Sequence, residues 1–228
     1  MTVAPALIFD FDGLLVDTES TALRAWREHF AVHDLVFPLE TWHQYIGTQG
    51  SQQAMLDVMR SVGLDFVDAD LLAQWRERHN GIIDVEMLRP GVEAFLDEAA
   101  EAGAPLAIAS SATRDWLDHH LGRLGIRERF AAVCARDNGR VKPAPDIFLA
   151  ALAAIGGDAA NAVAFEDSPN GIRAAKAAGL YCVAVPNPVT VELPLDEADL
   201  RVESFADLTV SDLVRRLRGG RGYAPSNV

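Results

Sequence analysis

This 228-residue sequence predicts an α/β fold, a Rossmann-like doubly wound parallel sheet interrupted once by an all-helical insert, on three observations. Short apolar runs recur with almost no polar alternation, the pattern of strands buried on both faces. Helical stretches with readable ends separate the later runs. One long interval after the first run has helical spacing and no comparable run of its own.

The first strand is expected at residues 6–9, Ala-Leu-Ile-Phe. Residues 17–88 then form the insert. Leu23, Trp26 and Phe30 share one helix face, Met55, Val58, Met59 and Val62 a second, and Leu71, Leu72 and Trp75 a third. Its edges fall near Val16 and Leu88, where Pro90 and Gly91 permit a hinge, so residues 1–16 and 89–228 make up the core. Within the core, Pro90-Gly91 opens a helix that Gly103 closes, and a strand follows at residues 106–109. Another strand is read at 131–134, then a helix between Pro145 and Gly156, and a strand at 162–165. Ser168-Pro169 opens a helix closed by Gly179, and the last apolar run is 181–185. Residues 219–228 read as a frayed tail.

Half of the residues are apolar, enough for a substantial core. A net charge of -13 and a pI near 4.8 argue against nucleic acid or an anionic membrane as partner, since either would repel the chain. Arg215, Arg216, Arg218 and Arg221 read as a solvated helix face. Cys134 and Cys182 sit in apolar runs, as inert core cysteines do in a reducing compartment. Residues 1–10 lack a basic start and carry Pro5 and Asp10, unlike a signal peptide. No apolar run reaches the roughly 20 residues of a membrane span. A soluble, cytoplasmic monomer is the expectation.

Ligands of open parallel sheets bind beyond the carboxyl ends of the strands. Asp10 and Asp12 follow the first run, Ser110 the second, and Glu166-Asp167 the fourth, while Lys142 follows the third at a distance. Two carboxylates this close form a negative pocket that is costly unless a cation or a reacting group shares it. Acid, hydroxyl, cation and acid at one rim match phosphoryl transfer: a carboxylate nucleophile, oxygen ligands for magnesium, and a lysine and hydroxyl for phosphoryl oxygens. Taken singly, each residue has a plainer reading. Asp-Gly after a strand is a common turn, Thr113 competes with Ser110 to cap the next helix, and Ser168 suits the N-cap before Pro169. His29 and His33 have one-turn spacing but no acidic partner, so a metal role is not assigned to them. His79, His119 and His120 are read as polar or half-buried surface groups, and Trp42, Trp75 and Trp116 as packing residues.

The motifs resemble those of the haloacid dehalogenase superfamily, in the branch of phosphatases and β-phosphoglucomutase-like enzymes with a helical cap. Asp10, Asp12, Gly13, Asp17 and Thr18 match its first motif, Ser110 its second, Lys142 in Val141-Lys142-Pro143 its third, and Glu166-Asp167 its acidic pair. The resemblance runs from residue 6 to about 210. It implies that Asp10 attacks phosphorus to give an aspartyl phosphate, and that Asp12 protonates the leaving oxygen and then activates water. It implies Mg2+ held by Asp10, the Asp12 carbonyl and Asp167, with Glu166 acting directly or through water. It assigns the phosphoryl oxygens to Ser110, Lys142 and the amides of Phe11, Ser111 and Ala112. It also suggests a cap loop at Gly47 that reaches toward substrate, where glycine permits close backbone approach.

By the same resemblance, the acid at Asp12 separates this chain from the dehalogenases, which need no protonated leaving oxygen. The glucose-phosphate mutases usually carry a histidine and an arginine where this chain has Ala22 and Gly50. The expected activity is therefore magnesium-dependent hydrolysis of a small phosphorylated metabolite, a sugar or polyol phosphate. A sugar phosphomutase is the alternative, and a phospho-aspartate signalling module a more distant one. Glu19 resembles a feature of sugar-phosphate phosphatases, with no role assigned on physical grounds.

Overall fold

The computed structural model describes residues 4–218. Its sheet has six parallel strands in the order β3-β2-β1-β4-β5-β6: β1 Ala6–Phe9, β2 Leu106–Ala109, β3 Ala132–Cys134, β4 Ala162–Glu166, β5 Tyr181–Ala184 and β6 Leu200–Arg201. The five expected strands are present with ends shifted by at most one residue. The two-residue β6 has no apolar run to announce it.

Alternate residues of β1 feed different layers. Leu7 and Phe9 face a cluster that includes Val92, Phe95 and Leu96 of α5 (Val92–Glu101), Leu117 and Leu121 of α6 (Arg114–Arg123), and Leu213 of α9 (Val210–Arg218). Phe9 stacks on Phe165 at 4.7 Å, with Phe95 set edge-on at 6.3 Å. Ala6 and Ile8 face α7 (Asp146–Ala154) and α8 (Pro169–Ala177), a layer rich in alanine on strands and helices alike. The sheet is thus covered on both sides, which is why its strands lack alternation.

Between β1 and α5 the chain forms α1 (Thr18–Val32), α2 (Leu39–His43), α3 (Ser51–Ser61) and α4 (Asp68–Ile83), which share a separate apolar cluster around Trp26, Phe30, Met55, Met59 and Trp75. The two crossings to this unit lie side by side, Val16 bridging Leu88. Val62 was expected on a buried face and is instead exposed, because α3 stops at Ser61. The histidine expectation also needs correction. His119 is exposed, but His79 and His120 are buried, each among aromatic rings. Cys134 and Cys182 are free and buried as expected. Arg215, Arg216 and Arg218 are exposed on α9, whereas Arg221 and the predicted tail lie outside the described residues. No helix among the described residues is long and apolar enough to cross a membrane.

Candidate active site

The strand order places β1 between β2 and β4, so the residues just past those three strands are neighbours. Asp10 continues the ladder through its amide to the Phe165 carbonyl at 3.0 Å, and Ser110 does so to Cys134 at 3.0 Å. Asp10 is buried, and Lys142, drawn from the loop before α7, reaches it: Nζ lies 2.7 Å from Asp10 Oδ1 and 2.5 Å from Glu166 Oε1. Burial alone would lower the Lys142 pKa, but the Asp10 and Glu166 carboxylates outweigh it and hold the ammonium above lysine's ordinary value.

Glu166 accepts hydrogen bonds from Ser168 Oγ at 3.1 Å and the Asp167 amide at 3.2 Å. A side chain at residue 171 would collide with it, since a Cβ there would sit 1.9 Å from the carboxylate carbon, so Gly171 is required by this approach. Ser168 also caps α8, accepting from the Gly171 amide at 3.1 Å, as its sequence position suggested.

Asp167 is held from the opposite side by Asn187, whose Nδ2 donates to Oδ2 at 2.7 Å and to the Gly13 carbonyl at 3.1 Å. Gly13 has φ +76, and a Cβ there would fall 2.3 Å from Asp167 Oδ2. The remaining Asp167 oxygen, Oδ1, is buried with no hydrogen-bond partner. Asp10, Glu166 and Asp167 each offer an oxygen, all within 4.8 Å of one another. An orphaned oxygen inside such a carboxylate group is what a hard divalent cation would satisfy, so the donor set fits magnesium. Burial, then the neighbouring acids, push the Asp167 carboxyl well above its ordinary value.

Asp12 points elsewhere. Its Oδ2 accepts from Ser110 Oγ at 3.3 Å and its Oδ1 from Trp116 Nε1 at 2.9 Å. Burial, helped by Asp10, raises its pKa to about 6, against the pull of the indole and Lys142. Trp116 is therefore more than the packing residue the sequence suggested. Thr113, not Ser110, caps α6, accepting from the Trp116 amide at 3.2 Å. Ser110 Oγ accepts from the Ala112 amide at 3.0 Å, so that amide is engaged here, while the amides of Phe11 and Ser111 bond to no other described residue.

A cavity of about 550 Å³ opens over Asp10, Asp12 and Ser110, roofed by α1, α4 and the loop carrying Gly47. Trp26, Trp42, Trp75 and Trp116 line it, as do Arg76 and Arg136, which form no ion pair among the described residues. Lys142, Glu166 and Asp167 do not line it. Gly47, at φ +75, brings its backbone against Ser168, where a Cβ would meet Oγ at 2.1 Å, and its carbonyl accepts from Ser111 Oγ at 3.1 Å. Asn170 Nδ2 donates to the Ile46 carbonyl at 2.8 Å, and Thr48 Oγ1 to the Lys142 carbonyl. The close approach expected of Gly47 is thus made to the core. Glu19 also lines the cavity, and its carboxyl is raised to about 8 by burial and by Asp12, Asp10 and Asp17.

Sequence reasoning missed Asn187, Arg89 and the indole of Trp116. Arg89 donates to the carbonyls of Gly13 at 2.7 Å and Val185 at 3.1 Å, tying the return crossing to the site. Only the Asn-Pro-x-Thr turn after β5 signals Asn187, whose Oδ1 accepts from the Val189 and Thr190 amides.

Known proteins resemble this chain in sequence and fold. Residues 4–179 match the family described as haloacid dehalogenase-like hydrolase. Protein YhcW of Bacillus subtilis (strain 168) is 38% identical over 213 residues, 93% of this chain and 97% of that protein. Fructose-1-phosphate phosphatase YqaB of Escherichia coli (strain K12) is 33% identical over 184 residues, covering 78% and 95%. The crystal structure of a CbbY variant from Rhodobacter sphaeroides in complex with xylulose-(1,5)bisphosphate superposes with a TM-score of 0.75 at 32% identity, covering 90% and 96%. With its motifs converging at one sheet edge and a family match across most of its length, the chain belongs to the haloacid dehalogenase-like hydrolases.

Proposed function

We propose that this chain is a magnesium-dependent phosphomonoester hydrolase acting on a small sugar or polyol phosphate, with residues 17–88 serving as a cap over a core of residues 1–16 and 89–228. The observation that carries this reading is the division of labour at the end of β1. Asp10 lies in the Lys142, Glu166 and Asp167 cluster, while Asp12, two residues on, faces the cavity with hydrogen-bond partners of its own.

In this reading the Asp10 carboxylate attacks phosphorus, and the bond to the leaving oxygen breaks as an acyl phosphate forms. The Asp12 carboxyl, poised near neutrality, gives its proton to that oxygen. Asp12 then takes a proton from water as the water oxygen attacks phosphorus, releasing inorganic phosphate and restoring Asp10. Ser110 and the free amides of Phe11 and Ser111 receive the phosphoryl oxygens. Lys142, fully buried, fixes the Asp10 carboxylate and offsets the repulsion among three acids. Magnesium would be held by Asp10, Asp167 and the Asp12 carbonyl with Glu166 beside them, and when bound it neutralises phosphoryl and carboxylate charge.

The sugar class is supported by the substrate named for YqaB and the ligand in the CbbY complex, and by a cavity lined by indole rings together with hydroxyl, carboxyl and guanidinium groups. A mutase reading is disfavoured because Ala22, lining the cavity, has no proton to relay. The test is release of inorganic phosphate from a panel of phosphorylated sugars and polyols, with and without magnesium, by wild type and Asp10→Asn. Metal-dependent release by wild type alone is expected. Undiminished release by Asp10→Asn would overturn the reading, and conversion of a hexose 1-phosphate to its 6-phosphate would favour the mutase.

A further inference from the structure

The Trp116 indole is a donor only: it has one N–H and no lone pair to accept with. It donates to Asp12 Oδ1 at 2.9 Å, the shorter of the two hydrogen bonds this carboxyl receives. The other oxygen, Oδ2, faces Ser110 Oγ, a hydroxyl that can donate or accept. An Oδ1 already engaged by a donor-only indole is the poorer seat for a proton, whereas Oδ2 faces a hydroxyl that can accept one, so the arrangement favours a protonated Asp12 with its proton on Oδ2. The indole is itself fixed. Trp116 lies in the first turn of α6, three residues past the Thr113 cap that follows the Ser110-Ser111-Ala112 loop, so it moves with the loop that holds Ser110. Its ring lies parallel to His79 of α4, with centroids 5.7 Å apart and planes 13° from coplanar. His79 stacks on Trp75 at 4.9 Å, and Trp75 on Trp26 of α1 at 4.9 Å. His79 is oriented in turn by contact with Thr21 Oγ1 at 3.2 Å. Four rings thus run from the apolar centre of the helical unit to the second aspartate of the first motif.

We propose that Trp116 is a positioning residue: its indole N–H selects the Asp12 oxygen that carries the transferable proton, and the ring ladder from the helical unit holds the indole at that angle. This rests on the hydrolase reading in which Asp12 protonates the leaving oxygen. The consequence is selective. An alkyl leaving group needs that proton as the P–O bond breaks, whereas p-nitrophenolate leaves without it.

Trp116→Phe keeps a smaller aromatic ring and removes the N–H. The readout is kcat/KM for fructose 1-phosphate divided by kcat/KM for p-nitrophenyl phosphate, which reports the first phosphoryl transfer for both substrates. We expect this ratio to fall about tenfold or more in Trp116→Phe, the worth of a hydrogen bond to a charged group. In an Asp12→Asn background the same substitution is expected to change the ratio less than about twofold, because a residue acting through another adds nothing once that other is gone. An equal loss on both substrates, an unchanged ratio, or a full additional loss in Asp12→Asn overturns the inference. A second measurement needs no Trp116 variant. In 15N-labelled protein, Asp12→Asn should move the Trp116 indole resonance and leave those of Trp26, Trp42 and Trp75 in place, and an unmoved resonance overturns the inference as well. If wild type releases no phosphate from any phosphorylated sugar or polyol of the panel, or Asp12→Asn matches it on both substrates, the hydrolase reading itself fails; the panel member hydrolysed best takes the place of fructose 1-phosphate in the ratio.

Discussion

Replacing Lys142 by methionine removes one buried charge and its place over the Phe148 ring, 5.0 Å from Nζ, while keeping an unbranched side chain one atom shorter. The ammonium stands 2.7 Å from Asp10 and 2.5 Å from Glu166, and none of the three side chains is more than 4% exposed. Removing one partner of a buried ion pair costs about 3–5 kcal/mol, because the other charge stays behind without compensation. Here two carboxylates stay behind, with Asp167 beside them. Glu166 and Asp167 are already pushed upward by burial and by their acidic neighbours, so proton uptake relieves part of the penalty and the lower end, about 3 kcal/mol, applies near pH 7. For a chain of this size that corresponds to a melting temperature lower by roughly 6–12 °C. Carboxyls raised above their unfolded values weaken the fold as they ionise, so the deficit grows from pH 6 to pH 8. The assay is thermal unfolding in metal-free buffer, with Glu166→Gln added to Lys142→Met as the second arm. The double variant should recover at least about half of the loss, since glutamine removes the stranded charge. A single variant melting within about 2 °C of wild type, or a double variant with no recovery, would refute the reasoning.

Three further outcomes follow from neighbouring geometry. His79 is buried and its pKa is lowered to about 4, chiefly by burial, so below the unfolded value of 6.5 the unfolded chain takes up a proton that the folded one does not. Between pH 7 and pH 5 wild type should therefore lose about 2 kcal/mol more stability than His79→Gln in urea titrations, and equal losses would show that the ring ionises freely. Asn187→Ala deletes the donor to Asp167 Oδ2 and should raise the magnesium concentration for half-maximal phosphate release by about 10- to 100-fold, with an unchanged value denying the amide that role. Gly171→Ala places a methyl group on the Glu166 carboxylate and should cost about 1–3 kcal/mol by urea unfolding, whereas a cost below about 0.5 kcal/mol would mean that the loop yields.

What the sequence disclosed and what it withheld divide along the range of each interaction. Strands covered on both faces need unbroken apolar runs, so β1, β2 and β4 and the residues just past them could be read directly. Ser168 announced its capping role because the Gly171 amide it serves is three positions away. Helix α6 was expected only through its cap, and its extent could not be read, because Asp118, His119 and His120 fill it between Leu117 and Leu121. Trp116 was indistinguishable from a packing residue, since its partner Asp12 is 104 positions earlier, and Asn187 reaches Gly13 across 174. His79 and His120 looked like surface groups because imidazole carries no mark of burial, and only the fold surrounds them with rings.

Arg89 has a mechanical consequence. Its guanidinium grips the carbonyls of Gly13, Leu14, Val185 and Pro186, and its own amide donates to Leu15 at 2.8 Å. One cation thereby pins the returning segment to the loop behind the acids and to the end of the fifth strand. A swing of the four-helix unit would turn about this anchorage and leave the spacing of the acids untouched. Admission of a ligand would then leave the frame of Asp10, Glu166 and Asp167 standing, while the stack of rings that reaches Trp116 would part and re-form.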